Sequence, residues 1–441
     1  MAVLQRLTAP VALPCTPGFP VVRDAVLDVD DTGRIAFFGT AADAPATDAV
    51  LRPLPGLLMP GMVNTHCHTP MSLLRGMGGD LPLMPWLTEV MWPAEGLLTE
   101  QDVHAGMLAG CLDLLRTGCT TSVEMYFFTD ALADAVRTAG SRAVLTPGII
   151  AAPGWDRLGT WEQMRDDVSA RIDAHGLVPD DDGRIELGYG PHSAYTLPSG
   201  ALESVAAAAR ERGALVHTHV AESRGEDAAV REAHGSVPAM LDAGGALGGR
   251  VLAAHSVHLS DDDIAVYARH GVAVAHCPGS NAKLAAGTAR LLDLRRAGVR
   301  VGLGTDGPAS CDDLDLWHQA RLAGLMARVG ADDAAALTAA DVLLMGTADA
   351  AHAIGRDDLG ALEAGRRADV VHVETDDSAF VAPSDDAQLV SNLVWAGGSR
   401  LVHDVWVGGE QVIDAGEPTR ADRRASLAAV RSISARLRGQ V

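Results

Sequence analysis

Aromatic residues are scarce in this 441-residue chain, at 4% of the total, so any core must rest on Ala, Val and Leu. Positive charge is also in short supply. There are 35 Lys and Arg against 57 Asp and Glu, a formal net charge of −22, and the one lysine is Lys283. That balance argues against a nucleic-acid backbone or an anionic membrane surface as partner. The acidic runs Asp180–Asp182 and Asp261–Asp263 read as solvated turns and helix starts. No pair among the six cysteines has CxxC spacing, and a chain of this length needs no disulfide staples. They read as reduced thiols of a cytoplasmic protein. No segment is long and apolar enough to span a bilayer, and the N-terminus lacks the pattern of a secretory leader.

What the chain does have is an alternation. Eight short apolar runs each end in polar residues: 57–67, 119–126, 142–150, 184–192, 214–222, 251–259, 272–281 and 299–307. Amphipathic segments lie between them, such as 100–116, 198–213 and 260–271, the last opening on an N-cap signal at Ser260. Strands alternating with helices predict a parallel sheet. Eight units over about 250 residues fit a (β/α)8 TIM barrel, with a doubly wound open sheet as the alternative. The ends differ. Residues 1–56 and 356–418 read as antiparallel β, expected to pair into one small flanking β-sandwich domain. The barrel then occupies 57–355, and 419–441 reads as a C-terminal helix with a basic face.

In a barrel, catalytic groups sit where strands end. Run one ends in His66 and His68, run four in His192, and run eight in Asp306; run five carries His217, His219 and Glu222, run six His255 and His258, and run seven His276. Residues i and i+2 on a strand share a face, so His66 and His68 both point inward and Cys67 points away. His219 and Asp306 can complete a site for one divalent ion with a position left for water. Such an ion lowers the pKa of its water towards neutrality. Any one of these features alone is ordinary: a core histidine, a turn aspartate. All of them at one end of one array are not.

The stretches MPGMVNTHCHTPMSLLRG, GPHSAY, HTHVAES, LAAHSVHLS and GLGTDGPAS resemble the amidohydrolase superfamily, nearest its mononuclear branch of adenosine, 5′-methylthioadenosine and S-adenosylhomocysteine deaminases. The resemblance implies His66, His68, His219 and Asp306 as metal ligands. His217 shares the inward parity, but the family's ligand stands three residues before its catalytic glutamate, here Glu222. The resemblance further implies Glu222, His255 and Asp306 as catalytic groups. It implies Trp86, Glu95, Arg157, His192 and Glu222 as substrate contacts, with Glu95 on ribose hydroxyls and His192 beside the purine. The implied cofactor is Zn2+, one per chain, with Fe2+ or Mn2+ as alternatives.

Two-metal relatives use a carboxylated lysine on strand four; the run 184–192 has none, which favours one ion. One departure bears on substrate. Relatives that take homocysteine-bearing nucleosides resemble each other in an arginine after strand three, where this chain has Pro147. That shifts weight towards neutral 5′ groups, near Trp155 and Trp161. The implied activity is hydrolytic deamination of an adenine nucleoside. The alternatives are an s-triazine or halo-aromatic hydrolase, a guanine or pterin deaminase, and a barrel kept only as a scaffold. The expected partners are a small-molecule nucleoside and at most further copies of this chain in a homo-oligomer, with no nucleic acid and no membrane.

Overall fold

The apolar runs form strands because each is β-branched or apolar and is closed by turn residues. The computed structural model describes residues 2–180, 182–198, 200–382 and 385–440. Asp181 of the acidic turn, Ser199 ahead of the helix Ala201–Arg212, and the terminal Met1 and Val441 lie outside the described residues. Strands one to eight of the parallel set are Met62–Cys67, Cys119–Glu124, Arg142–Leu145, Ile185–Leu187, Leu215–Val220, Arg250–His255, Ala273–His276 and Val301–Leu303.

Strands one to four are hydrogen-bonded side by side in order, and so are strands five to eight. Every pairing within these arrays is parallel. Two junctions link the arrays. The His217 and His219 amides donate to the Tyr189 and His192 carbonyls, both at 2.9 Å, tying strand five to the end of strand four. The Asp306 amide donates to the His66 carbonyl at 3.0 Å, tying the end of strand eight to strand one. Helices Glu100–Arg116 and Asp261–His270 occupy two of the amphipathic segments. Each is opened by a reciprocal capping box, Thr99 with Asp102 and Ser260 with Asp263, which satisfies N–H groups that the first turn leaves unpaired.

The run over 57–67 is two strands rather than one. Leu57–Pro60 pairs antiparallel with Val370–Val373, whereas Met62–Cys67 pairs with strand two. Gly61 makes the break: a Cβ there would lie 2.1 Å from Thr120 Oγ1, so no other residue lets the chain pass this closely. Strand three is interrupted at Pro147, which has no N–H to give a ladder, and resumes at Gly148–Ile149 against Gly190–Pro191.

The chain ends meet in one nine-stranded sheet that also includes Leu57–Pro60. Leu27, Val29, Leu58, Val370 and Trp406, drawn from across it, share one buried cluster. Short helices between residues 386 and 401 interrupt the C-terminal part, and the last helix runs Arg423–Arg438. All six cysteines are buried and free of disulfides. Among the described residues no helix is long and apolar enough to cross a membrane.

One ion pair fastens the terminal sheet to the parallel strands. Arg142 of strand three donates to both carboxylate oxygens of Asp369, at 2.9 and 3.0 Å, and both side chains are buried. Asp369 also accepts from the Gly408 amide at 2.7 Å. Removing one partner leaves the other charge buried and unpaired. Arg142→Ala is therefore expected to destabilise the protein by about 3–5 kcal/mol in equilibrium denaturation. A loss under about 1 kcal/mol, the range of an exposed pair, would show that the two parts do not depend on it.

Candidate active site and metal centre

Five side chains converge at the C-terminal ends of the parallel strands. His66 and His68 come from the end of strand one, His219 from strand five, His255 from the end of strand six, and Asp306 follows strand eight. Hydrogen bonds on the outer edges of the rings decide which way each imidazole faces. His68 Nδ1 donates to the Met125 carbonyl at 2.6 Å, and His219 Nδ1 to the His192 carbonyl at 2.8 Å. A carbonyl only accepts, so the proton sits on Nδ1 and each Nε2 carries a bare lone pair.

His66 is set by a longer relay. Thr146 Oγ1 donates to the Glu124 carbonyl at 2.9 Å, so it accepts from His217 Nδ1 at 3.0 Å. His217 Nε2 then accepts from His66 Nδ1 at 2.7 Å. That leaves His66 Nε2 bare, and it is buried with no hydrogen-bond partner.

These lone pairs face each other and a carboxylate. His68 Nε2 is 3.3 Å from His219 Nε2, and both His66 Nε2 and His68 Nε2 are 3.2 Å from Asp306 Oδ1. Acceptors gathered this way repel unless a cation lies among them. The spacings are the edges of a tetrahedron whose bonds are about 2.0–2.1 Å, as at a divalent zinc-type site. The donor set thus fits one divalent ion. A second group, His372, His403 and Asp404 in the terminal sheet, has contacts of 2.7 and 3.0 Å. Those are hydrogen-bond distances, and they fasten strands rather than frame an ion.

The carboxylate is held as firmly as the rings. Asp306 Oδ2 accepts from Ser280 Oγ at 2.6 Å and Ser310 Oγ at 2.8 Å, which turns Oδ1 inward. Asp306 adopts a left-handed backbone, φ 61°, and so does His255, φ 66°. Strained backbone of this kind persists where the surroundings over-determine it. Gly304 permits strand eight to approach: a Cβ there would meet Cys277 Sγ at 2.8 Å.

His255 Nδ1 donates to Asn281 Oδ1 at 2.9 Å. Its Nε2 is buried without a partner and lies 3.8 Å from Glu222 Oε1. Burial and the Asp306 carboxylate set the protonation here. At His68 the carboxylate outweighs burial and raises it to about 9, a proton that a bound cation would displace. Burial lowers His66 to about 3 and takes His219 well below the usual imidazole range, which keeps both neutral. It raises Glu222, which favours a proton on that carboxyl. It raises Glu95 to about 7, against a hydrogen bond from Tyr126 that lowers it.

His68, His219, Glu222, His255 and Asp306 line one cavity, and His192, Glu95 and Trp86 line it with them. His66, fully buried, is not in the lining. Tyr126 donates its hydroxyl to Glu95 Oε1 at 2.9 Å. Arg157 is not in the lining. Its Nη2 donates to the Leu98 and Glu95 carbonyls at 3.0 and 3.3 Å, and its guanidinium lies over the Phe128 and Trp155 rings. Trp155 lines the cavity; Trp161 lies against Arg165 instead. Cys67 faces Thr69 and Thr305, away from the cluster. His258 donates to the Ala286 carbonyl at 2.8 Å, and His276 is buried but not in the cavity lining.

His217, Asn281, Ser280, Ser310 and Tyr126 were not singled out as site residues from the sequence. Ser280 and Asn281 stand together in the PGSN that follows strand seven, a polar pair at a strand end, and that was the available signal. Both ring nitrogens of His217 are taken up by His66 and Thr146, so it orients His66 rather than offering a lone pair to the cluster. Outer partners of this kind typically carry 10–100-fold in metal affinity. His217→Ala is expected to weaken binding of a divalent ion by about that factor without abolishing it, as read by chelator competition. Unchanged affinity would remove His217 from the relay.

The description "Amidohydrolase family" matches residues 57–412. A 5-methylthioadenosine/S-adenosylhomocysteine deaminase of Pelotomaculum thermopropionicum is 38% identical over 380 residues, 86% of each chain. A 5′-deoxyadenosine deaminase of Methanothermobacter thermautotrophicus is 40% identical over 358 residues, 80% of this chain and 81% of its own. The solved structure of an adenosine deaminase from Xanthomonas campestris with bound zinc superposes with a TM-score of 0.92 at 33% identity, over 99% of both chains. With a match across most of its length and relatives this similar over four-fifths of it or more, the chain belongs to the amidohydrolase family.

Proposed function

We propose that the protein is a zinc-dependent hydrolase that removes the 6-amino group of an adenine nucleoside as ammonia. One observation carries this reading: three bare imidazole nitrogens and a carboxylate oxygen converge in the cavity that also holds Glu222 and His255. The names of the similar proteins supply the substrate class. In this reading the two parallel arrays close into one (β/α)8 barrel over residues 57–355. Residues 1–56 and 356–418 form the flanking β-sandwich, and 419–441 the terminal helix.

A divalent ion held by His66, His68, His219 and Asp306 supplies the nucleophile by lowering the pKa of water towards neutrality. His255 Nε2 and Asp306 Oδ1 orient the attacking water towards C6 of the purine. Glu222 starts protonated and delivers that proton to ring N1 as the tetrahedral carbon forms. It is reprotonated from the attacking water, passes that proton to the departing amine, and takes the last proton of the water as the C6 carbonyl forms. The water thus loses two protons, N1 and ammonia each gain one, and Glu222 finishes protonated, as it began. His192 lies beside the base, and Glu95 receives the ribose hydroxyls with Trp86 as wall.

Two variants test the assignments. Glu222→Gln is expected to retain its metal while turnover falls by at least about 10²–10⁴-fold, read at the adenosine absorbance band with metal analysis of the same sample. Near wild-type turnover would refute the role of Glu222. Glu95→Gln is expected to raise KM for adenosine and leave free adenine, a poor substrate, unaffected. An equal effect on substrates with and without ribose would favour the triazine, guanine or pterin reading, which has no use for a ribose-binding acid.

A further inference from the structure

Glu95, Tyr126, Phe127 and Trp155 form one continuous wall of the cavity. Tyr126 donates to Glu95, its ring centroid is 5.4 Å from that of Phe127, and Phe127 stacks on Trp155 at 3.6 Å with the planes 20° apart. Trp155 is 2% exposed. With Glu95 at the sugar, the aromatic pair meets whatever the nucleoside carries on its 5′ carbon. Ile150 adds a further apolar face to the same cavity.

The cavity wall offers no fixed cationic side chain to a 5′ substituent. Among the described residues lining it there is no lysine or arginine, while Glu95, Glu222 and Asp306 are all there. Two cations close in sequence to lining residues are engaged elsewhere, and Arg224, two residues after Glu222, is exposed and outside the lining. Arg157 holds the Glu95 and Leu98 carbonyls. Lys283 pairs with Asp312 at 2.6 Å and donates to the Ala309 carbonyl at 3.1 Å. Pro147, buried beside the cavity residue Gly148, offers only its carbonyl, which accepts from the Gly190 amide at 3.2 Å.

We infer that this site takes adenine nucleosides with a small, neutral, apolar 5′ group and discriminates against those whose 5′ chain ends in an amino acid. The inference rests on the deaminase reading above. A methyl or methylthio group gains by covering Phe127 and Trp155. A terminal carboxylate beside Phe127 and Trp155 finds no lysine or arginine in the lining and is left without the partner that burial demands. Arg157 in turn is a positioning residue: it braces the short helix Trp92–Glu95 that presents Glu95.

The test compares kcat/KM of the zinc-loaded full chain for adenosine, 5′-methylthioadenosine and S-adenosylhomocysteine, which share one adenosine moiety. The methylthio compound is expected to exceed S-adenosylhomocysteine by about 10²-fold, the scale at which an apolar pocket rejects an added polar group. Arg157→Gln is expected to raise KM for all three by a similar factor, so that their ratio is unchanged. Wild-type values for the two thio compounds within threefold of each other would overturn the proposal. So would an Arg157→Gln protein that loses S-adenosylhomocysteine selectively, since that places the guanidinium on the tail. No turnover of any of the three, adenosine included, overturns the deaminase reading itself and this proposal with it.

Discussion

The site depends on a constraint that acts at its periphery: hydrogen bonds that hold the protons of His66, His68 and His219 on their outer nitrogens. Two of the acceptors are backbone carbonyls, of Met125 and His192. The third is His217, itself oriented by Thr146 and the Glu124 carbonyl. Once those protons face outward, the inward nitrogens have lone pairs and nothing to donate. An arrangement of acceptors at 3.2–3.3 Å is unfavourable by itself, and a cation turns the same arrangement into a binding site. Burial disfavours a charged imidazole at His66 and His219, which leaves those two rings neutral.

The rest of the fold serves to keep that geometry in register. Strand one is reached through Leu57–Pro60, which belongs to the terminal sheet, and the chain crosses to the parallel array at Gly61. Any slip of the terminal sheet would be passed directly to His66 and His68. The buried Arg142–Asp369 pair ties strand three to the same sheet. At the other junction the Asp306 amide bonds to the His66 carbonyl, so two of the candidate ligands are tied to each other through the backbone.

Much of this was legible in the residues. HxH on a strand implies a shared face because the side-chain period is two. All eight runs, and the helices capped by Thr99 and Ser260, follow from apolar periodicity and local hydrogen-bonding chemistry. The acid Glu95 was reached only through resemblance, since taken alone a glutamate in MWPAEG reads as a surface residue. Its burial beside Tyr126 comes from segments 31 residues apart meeting in space, and no local pattern carries that. Arg157 shows the converse: a cation in a loop reads as available, but its contacts with the Glu95 and Leu98 carbonyls depend on where that loop lands.

By itself, then, the sequence determined the order of elements, the donor types at each strand end and the acidic balance of the chain, because these depend on local periodicity and composition. Only the tertiary structure supplied the physical difference between His217 and His219, which the resemblance separated by spacing to Glu222. Both sit on the inward parity of one strand, and periodicity cannot separate them. Their roles differ because Thr146 lies within reach of the first and His68 within reach of the second, contacts that exist only once strands three, five and one stand together.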